Sequence, residues 1–247
     1  SFPVNISGKI QLSELIYDKF VFKNNLADFA ASKKIIKLNR VDTSVLSGSL
    51  NGSGKIDLSG DYPTAHISAR FNRMKIHDLK FSEENLNNRL FGFADGSVNL
   101  GFNFRENMTE TLKGNATFNV SKGKVVNTGI QNGLIIFLAE LRYKLKDLEF
   151  SKIYGNIDVD GRDLTINSFI FNSEDIRLAM NGKINSDLTA NNMSVKLEFN
   201  NHFIKDIPRP AIAFYNDYLS GRWYTIPFLL NGNITESKNI KMLKKNQ

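Results

Sequence analysis

The feature that most constrains this chain is a two-residue alternation of apolar and polar side chains that recurs along much of its length. From Val98 to Arg105, one side holds Val98, Leu100, Phe102 and Phe104, and the other holds Asn99, Gly101, Asn103 and Arg105. Ala116, Phe118 and Val120 alternate with Asn115, Thr117 and Asn119. Met193, Val195, Leu197 and Phe199 alternate with Ser194, Lys196, Glu198 and Asn200. A strand points successive side chains to opposite faces, so each segment predicts a half-buried strand. The Asn, Ser, Thr and Lys side suits an antiparallel sheet with water on one face.

Many of these segments open on glycine. Gly8-Lys9-Ile10, Gly54-Lys55-Ile56, Gly96-Ser97-Val98, Gly114-Asn115-Ala116, Gly155-Asn156-Ile157, Gly182-Lys183-Ile184 and Gly232-Asn233-Ile234 share the form. Their spacing is irregular, so this is a repeated strand type and not a fixed-period solenoid. Asn51-Gly52, Asp95-Gly96, Asn181-Gly182 and Asn231-Gly232 read as tight turns. Ile157 to Ile166, with Asp160-Gly161 at its centre, reads as a hairpin.

Three segments depart from the alternation. Ser82 to Gly92 has a serine cap, two acids in its first turn and a closing glycine, as a short helix would. Ile130, Leu134, Phe137, Leu138, Leu141, Leu145 and Leu148 fall on one face of a longer helix. Pro210 to Gly221 follows the usual asymmetry of proline at the start and glycine at the end. Together these give a helix share near a fifth of the residues.

With 247 residues, the chain can form one large β domain or two smaller ones. It has no cysteine, which excludes a disulfide framework and cysteine-ligated zinc. Its longest apolar run, Leu134 to Ala139, falls far short of the ~20 residues of a spanning helix. The start at Ser1, with no signal-like segment, favours a segment of a longer protein. The net charge is +7, and the basic tail 235–247 suits an anionic surface.

No motif carries catalysis. Asn51-Gly52-Ser53-Gly54-Lys55 has the wrong glycine spacing for a phosphate loop, and Ile56 replaces the required hydroxyl. His66, His77 and His202 lack metal-ligand spacing. Asp158, Asp160 and Asp163 are better explained by hairpin chemistry than by a calcium loop, and no Gly-x-Ser-x-Gly elbow is present. The unusual feature of composition is 19 Phe against a single Trp. Phenylalanine has no polar handle, so these rings require apolar surroundings. Either they fill a closed core or some line an open groove for acyl chains.

Phe91 to Phe199 resembles the C-terminal region of AsmA-like proteins, relatives of TamB. The likeness lies in the order of the Gly-x-Val-x-Leu strand at Gly96, the segment Gly114 to Val120, Lys122-Gly123-Lys124-Val125 and the apolar segment Ile130 to Leu148. It continues through Phe150 to Gly161, Leu164-Thr165-Ile166 and Ile176 to Ile184. Ile226-Pro227-Phe228-Leu229-Leu230-Asn231-Gly232-Asn233-Ile234 resembles that family's closing strand. The resemblance is closest over 91–234 and treats 1–247 as one periplasmic segment.

The resemblance implies an α+β, β-dominated fold: a long, strongly curved, mainly antiparallel sheet forming an apolar groove, with about three packed helices. It implies a non-enzymatic protein of the cell envelope with no cofactor and no metal. The protein would sit in the periplasm, held to the inner membrane by an N-terminal helix outside this chain. Its implied partners are phospholipid or another acyl lipid, a membrane surface and an envelope protein, with no nucleic acid. The implied role is lipid transport in outer-membrane homeostasis. Val98, Leu100, Phe102, Phe104, Phe118, Val120, Ile157 and Val159 are the candidate groove residues. The alternatives are a structural or adhesive β domain with a closed core, and a carbohydrate or peptidoglycan binder using Trp223-Tyr224.

Overall fold

The alternating segments form strands. The computed structural model describes residues 5–79, 90–105, 107–126, 148–185, 187, 189–200, 219–233 and 240–242. The first seven strands are β1 (Asn5–Tyr17), β2 (Phe20–Ser32), β3 (Ile35–Val45), β4 (Gly48–Asp57), β5 (Thr64–Lys75), β6 (Leu90–Asn103) and β7 (Lys113–Val125). The rest are β8 (Leu148–Asp160), β9 (Asp163–Asn172), β10 (Ile176–Asn185), β11 (Thr189–Asn200), β12 (Leu219–Ser220), β13 (Trp223–Asn233) and β14 (Ile240–Met242). All belong to one antiparallel sheet, ordered β1 to β11 in sequence and then β13 and β12, with β14 also on β13. The sheet is open, and it runs as a meander in which each long strand pairs with the next.

This corrects the α+β expectation. Strands make up 81% of the described residues and helix 4%. The helical pieces are a 3-10 turn at Ile76–Asp78 and a four-residue turn at Met108–Thr111. The three segments expected to be packed helices lie mostly outside the described residues. Their described ends are not helical: Leu90 and Gly92 are in β6, Leu148 is in β8, and Leu219 is in β12. The local signals of caps and glycines therefore did not set these ends. Pairing did: Leu90 and Leu148 both lie opposite Val125 of β7, and Leu219 lies opposite Tyr224 of β13.

The four Asn-Gly and Asp-Gly pairs are corrected as well. Gly52, Gly96, Gly182 and Gly232 all lie inside strands. A side chain at Gly96 would sit 2.2 Å from the Thr117 carbonyl oxygen and 2.5 Å from the Phe71 ring. Glycine here clears space for a neighbour across the sheet and does not reverse the chain. Three of the reversals are made by non-glycine residues in the left-handed region: Asp18 between β1 and β2, Lys33 between β2 and β3, and the pair Leu46 and Ser47 between β3 and β4. The Asp160-Gly161 hairpin lies where its sequence places it, with Gly161 at φ +62° between β8 and β9.

Buried residues gather in two clusters. One joins β10, β11 and β13 through Ile176, Leu197, Phe199, Tyr224 and Ile226. The other joins Ile76 with Ala94, Val120, Phe150, Ile153 and Phe171. The ladder is interrupted by bulges. At two of them, a side chain from the next strand accepts the hydrogen bond of the displaced N–H. The Arg73 N–H donates to Asp95 Oδ1 at 2.9 Å, and the Asn192 N–H donates to Asn231 Oδ1 at 2.7 Å. Bulges bend a sheet and increase its twist.

Candidate functional site

The register of the sheet assembles one apolar face from residues far apart in sequence. Val98 of β6 lies opposite Ala116 of β7, which lies opposite Ile157 of β8, which lies opposite Ile166 of β9. The next row runs Leu100, Gly114, Val159 and Leu164. Toward the other end of the strands, Ala94, Val120, Ile153 and Phe171 form another row. Directly opposed residues share a face, so these rows form one surface.

The candidate residues are brought together by these rows. Val98, Leu100, Phe102, Phe118, Val120, Ile157 and Val159 share the face. Val120 is buried at 4% exposure, while Val98, Leu100, Phe118, Ile157 and Val159 are half-buried. Phe104 lies one residue past the end of β6 and is exposed. Its ring packs against Phe102 with centroids 5.3 Å apart, so it extends the rim and not the floor.

The face continues well beyond these eight. Phe102, Leu100 and Val98 lie opposite Ala65, Ile67 and Ala69 of β5, which meet Ile56, Gly54 and Gly52 of β4. Then come Ile36, Leu38 and Val41 of β3, Ala31, Phe29 and Ala27 of β2, and Ile6, Gly8 and Ile10 of β1. On the other flank, Leu178 and Met180 of β10 meet Leu197 and Val195 of β11, then Ile226 and Phe228 of β13. At ~4.8 Å per strand, the face extends roughly 55 Å across the sheet. The sequence signal for the first ninety residues was a set of short alternations such as Ile36-Lys37-Leu38. These could be joined into one surface only when the bulges in β2, β3 and β5 were known.

Exposure of this face is graded. Ile226 is fully buried and Phe199 is 2% exposed, whereas Ile67 is 44% and Ile6 54% exposed. The β13 end is closed and the β1 end is open. Phenylalanine and glycine pair repeatedly along the face. Phe29 lies over Gly8, Phe71 over Gly96 and Phe118 over Gly155, with ring atoms where a Cβ would otherwise be. The lining is not wholly apolar: Glu14 and Lys23 are opposed on β1 and β2, Asn25 lies opposite Leu12, and β3 contributes Thr43. Thr43 is buried, and its hydroxyl donates to Asn25 Oδ1 at 2.8 Å and lies 3.2 Å from the Lys23 carbonyl oxygen. Its polar atom is therefore satisfied.

The opposite face is polar. The Ser68 hydroxyl donates to Asn99 Oδ1, Asn99 Nδ2 donates to Asn115 Oδ1 at 3.1 Å, and Ser97 and Thr117 share a hydrogen bond of 3.0 Å. His66 lies on this side near Lys37, Lys55, Glu110 and Lys113, and the hydroxyl of neighbouring Ser68 is engaged by Asn99. Asp160 pairs with Lys113 at 2.9 Å and Asp158 accepts from Asn167 at 2.7 Å, so these two aspartates of the hairpin are engaged within the sheet. No group of three or more metal-ligating side chains occurs among the described residues. Asp57 is held down to about 2 by the Ser59 hydroxyl and N–H, with a further contribution from the Lys55 ammonium. That cluster closes the turn after β4.

Trp223 is half-buried, with the Arg177 guanidinium 3.9 Å from its ring centroid, and Tyr224 is buried. The arrangement leaves no open aromatic platform at this pair. Comparison with known protein families, curated proteins and solved structures finds no match to this chain.

Proposed function

We propose that this chain is a non-enzymatic lipid-binding domain whose apolar face shields acyl chains. The observation that carries this reading is the continuous apolar face, closed at β13 and open toward β1. A core has no use for a strand of exposed aliphatic side chains such as Ile6, Ile10, Leu12 and Ile16 of β1. A surface that takes up hydrocarbon does, since each buried methylene contributes ~0.8 kcal/mol. The lining has few hydrogen-bonding groups, so sugars or nucleotides would leave polar atoms unpaired there. The covered Trp223-Tyr224 pair also disfavours the carbohydrate reading. The packed cluster of β10, β11 and β13 suits the closed-core reading, and the exposed aliphatic residues of β1 suit the lipid reading.

The resemblance to AsmA-like proteins adds the setting: a periplasmic segment tethered to the inner membrane, serving lipid transport for the outer membrane. The basic tail would meet the anionic membrane surface, and an envelope protein partner would receive or deliver the lipid. The test is uptake of a fluorescent fatty acid and a fluorescent phospholipid by delipidated protein. Ile67 and Leu100 are opposed on the half-open part of the face. Ile67→Glu and Leu100→Glu should each reduce uptake at least fivefold while the strand signal in circular dichroism is kept. Absence of uptake by the parent protein would overturn the reading.

A further inference from the structure

The two edges of the sheet are treated differently. At one, β13 is flanked by β12 and β14, of two and three residues, on different parts of its length. Short strands of this kind blunt an edge against further pairing. At the other, β1 is thirteen residues long, regular in register with β2, and without proline. Among the described strands it pairs with β2 alone. It also carries Ile6, Ile10, Leu12, Leu15, Ile16 and Tyr17, six of the twelve exposed large hydrophobic residues of the described structure.

The order of residues in β1 specifies what fits this edge. About Gln11 the aliphatic residues of the apolar face are symmetric: Ile10 and Leu12 flank it, and Ile6 and Ile16 stand five residues to either side, while Leu15 and Ser7 are opposed on the other face. An isologous contact demands this property, because residue i must suit j and j must suit i. We propose that β1 pairs antiparallel with β1 of a second copy of this chain, about a two-fold axis through Gln11 and perpendicular to the sheet. Ile10 then opposes Leu12 twice and Ile6 opposes Ile16 twice. The two charged residues, Lys9 and Glu14, oppose Ser13 and Gly8, so no like charges face each other. The axis keeps both apolar faces on the same side, and all thirteen residues of each β1 are paired. The face becomes continuous across the two copies, roughly 110 Å at the strand spacing used above. This inference stands on the edge and its pattern, independently of the lipid reading.

The chain has no cysteine, so a single introduced thiol reports on one position. Opposed residues in an antiparallel pair have Cα atoms ~4.5–5.5 Å apart, within the range a disulfide spans. Gln11→Cys in the full chain should therefore cross-link to a covalent dimer on mild oxidation. Lys9→Cys and Ser13→Cys, each displaced by four residues from its own copy, should cross-link at least tenfold more slowly. Sedimentation should show a dimer for the parent. The doubly substituted Ile10→Lys, Leu12→Lys chain sets ammonium groups opposite one another and should sediment as a monomer with an unchanged strand spectrum. A monomeric parent at every concentration, or equal cross-linking at the three positions, would overturn the proposal. So would a dimer that persists undiminished in the double lysine variant, since it would use another surface.

Discussion

Phenylalanine opposite glycine is the recurrent unit of this sheet. Phe118 spans the gap left by Gly155, and a Cβ at Gly155 would lie 2.3 Å from two atoms of the ring. The glycine has no positive φ that would require it, so clearance for the ring is what glycine supplies. Gly155→Val introduces a residue with good strand propensity but displaces Phe118, and it should destabilise by about 1–3 kcal/mol. Phe118→Ala should cost stability alone, yet the double variant should be less destabilised than the sum of the two. A double-mutant cycle from urea denaturation measures that coupling. Additive losses would mean that the ring does not depend on the glycine.

Elements here end where side chains or turns hold them. Strand β4 ends at Asp57, whose carboxylate accepts from the Ser59 hydroxyl and N–H and meets Lys55 Nζ at 3.1 Å. These donors favour the ionised form, so the folded-state pKa, about 2, lies below the ordinary aspartate value of about 4. The sign follows from proton uptake: the unfolded chain binds the proton first as pH falls. Stability from this turn is full above about pH 4 and is lost on descending toward pH 2. Asp57→Asn should flatten the pH dependence of thermal stability over that window, with little change in its slope above pH 5. An unaltered profile would show that the turn does not depend on the charge. The strands themselves follow their alternation, as Val98 to Asn103 and Met193 to Phe199 do. Bulges at Arg73 and Asn192 were not legible, because the residue that accepts each displaced N–H lies on a different strand.

At the scale of the whole molecule, one sheet has two regimes. Around β13 the apolar face is packed, on β2 to β5 it is mostly half-buried, and on β1 it is open. The same substitution should therefore give opposite results at its two ends. Ile226→Asp buries an unpaired charge and should destabilise by several kcal/mol. Ile67→Asp, at a site 44% exposed, should cost less than about 1 kcal/mol. Chemical denaturation of the two variants against the parent measures both. Equal losses would mean that the open part of the face is covered in solution. Topology adds one further order. The strand ends at Lys75, Leu90, Val125, Leu148 and Asn200 all lie at the same end of the sheet as the β1–β2 turn.

Sequence alone determined which side chains share a face within a strand, since a period of two is a local property of extended backbone. It placed Val98, Leu100 and Phe102 together, and likewise Phe118 with Val120. It could not say that Leu100 adjoins Val159 or that Ile67 extends the same row, because register depends on pairing partners and bulges. Nor could it distinguish a glycine that turns the chain from one that yields space to a ring, since Asp95-Gly96 has turn chemistry locally and a Phe71 ring only in space. The tertiary structure decided both, and with them the gradient from the buried Ile226 to the open Ile6. Exposure depends on what stands opposite a residue, which no local pattern encodes.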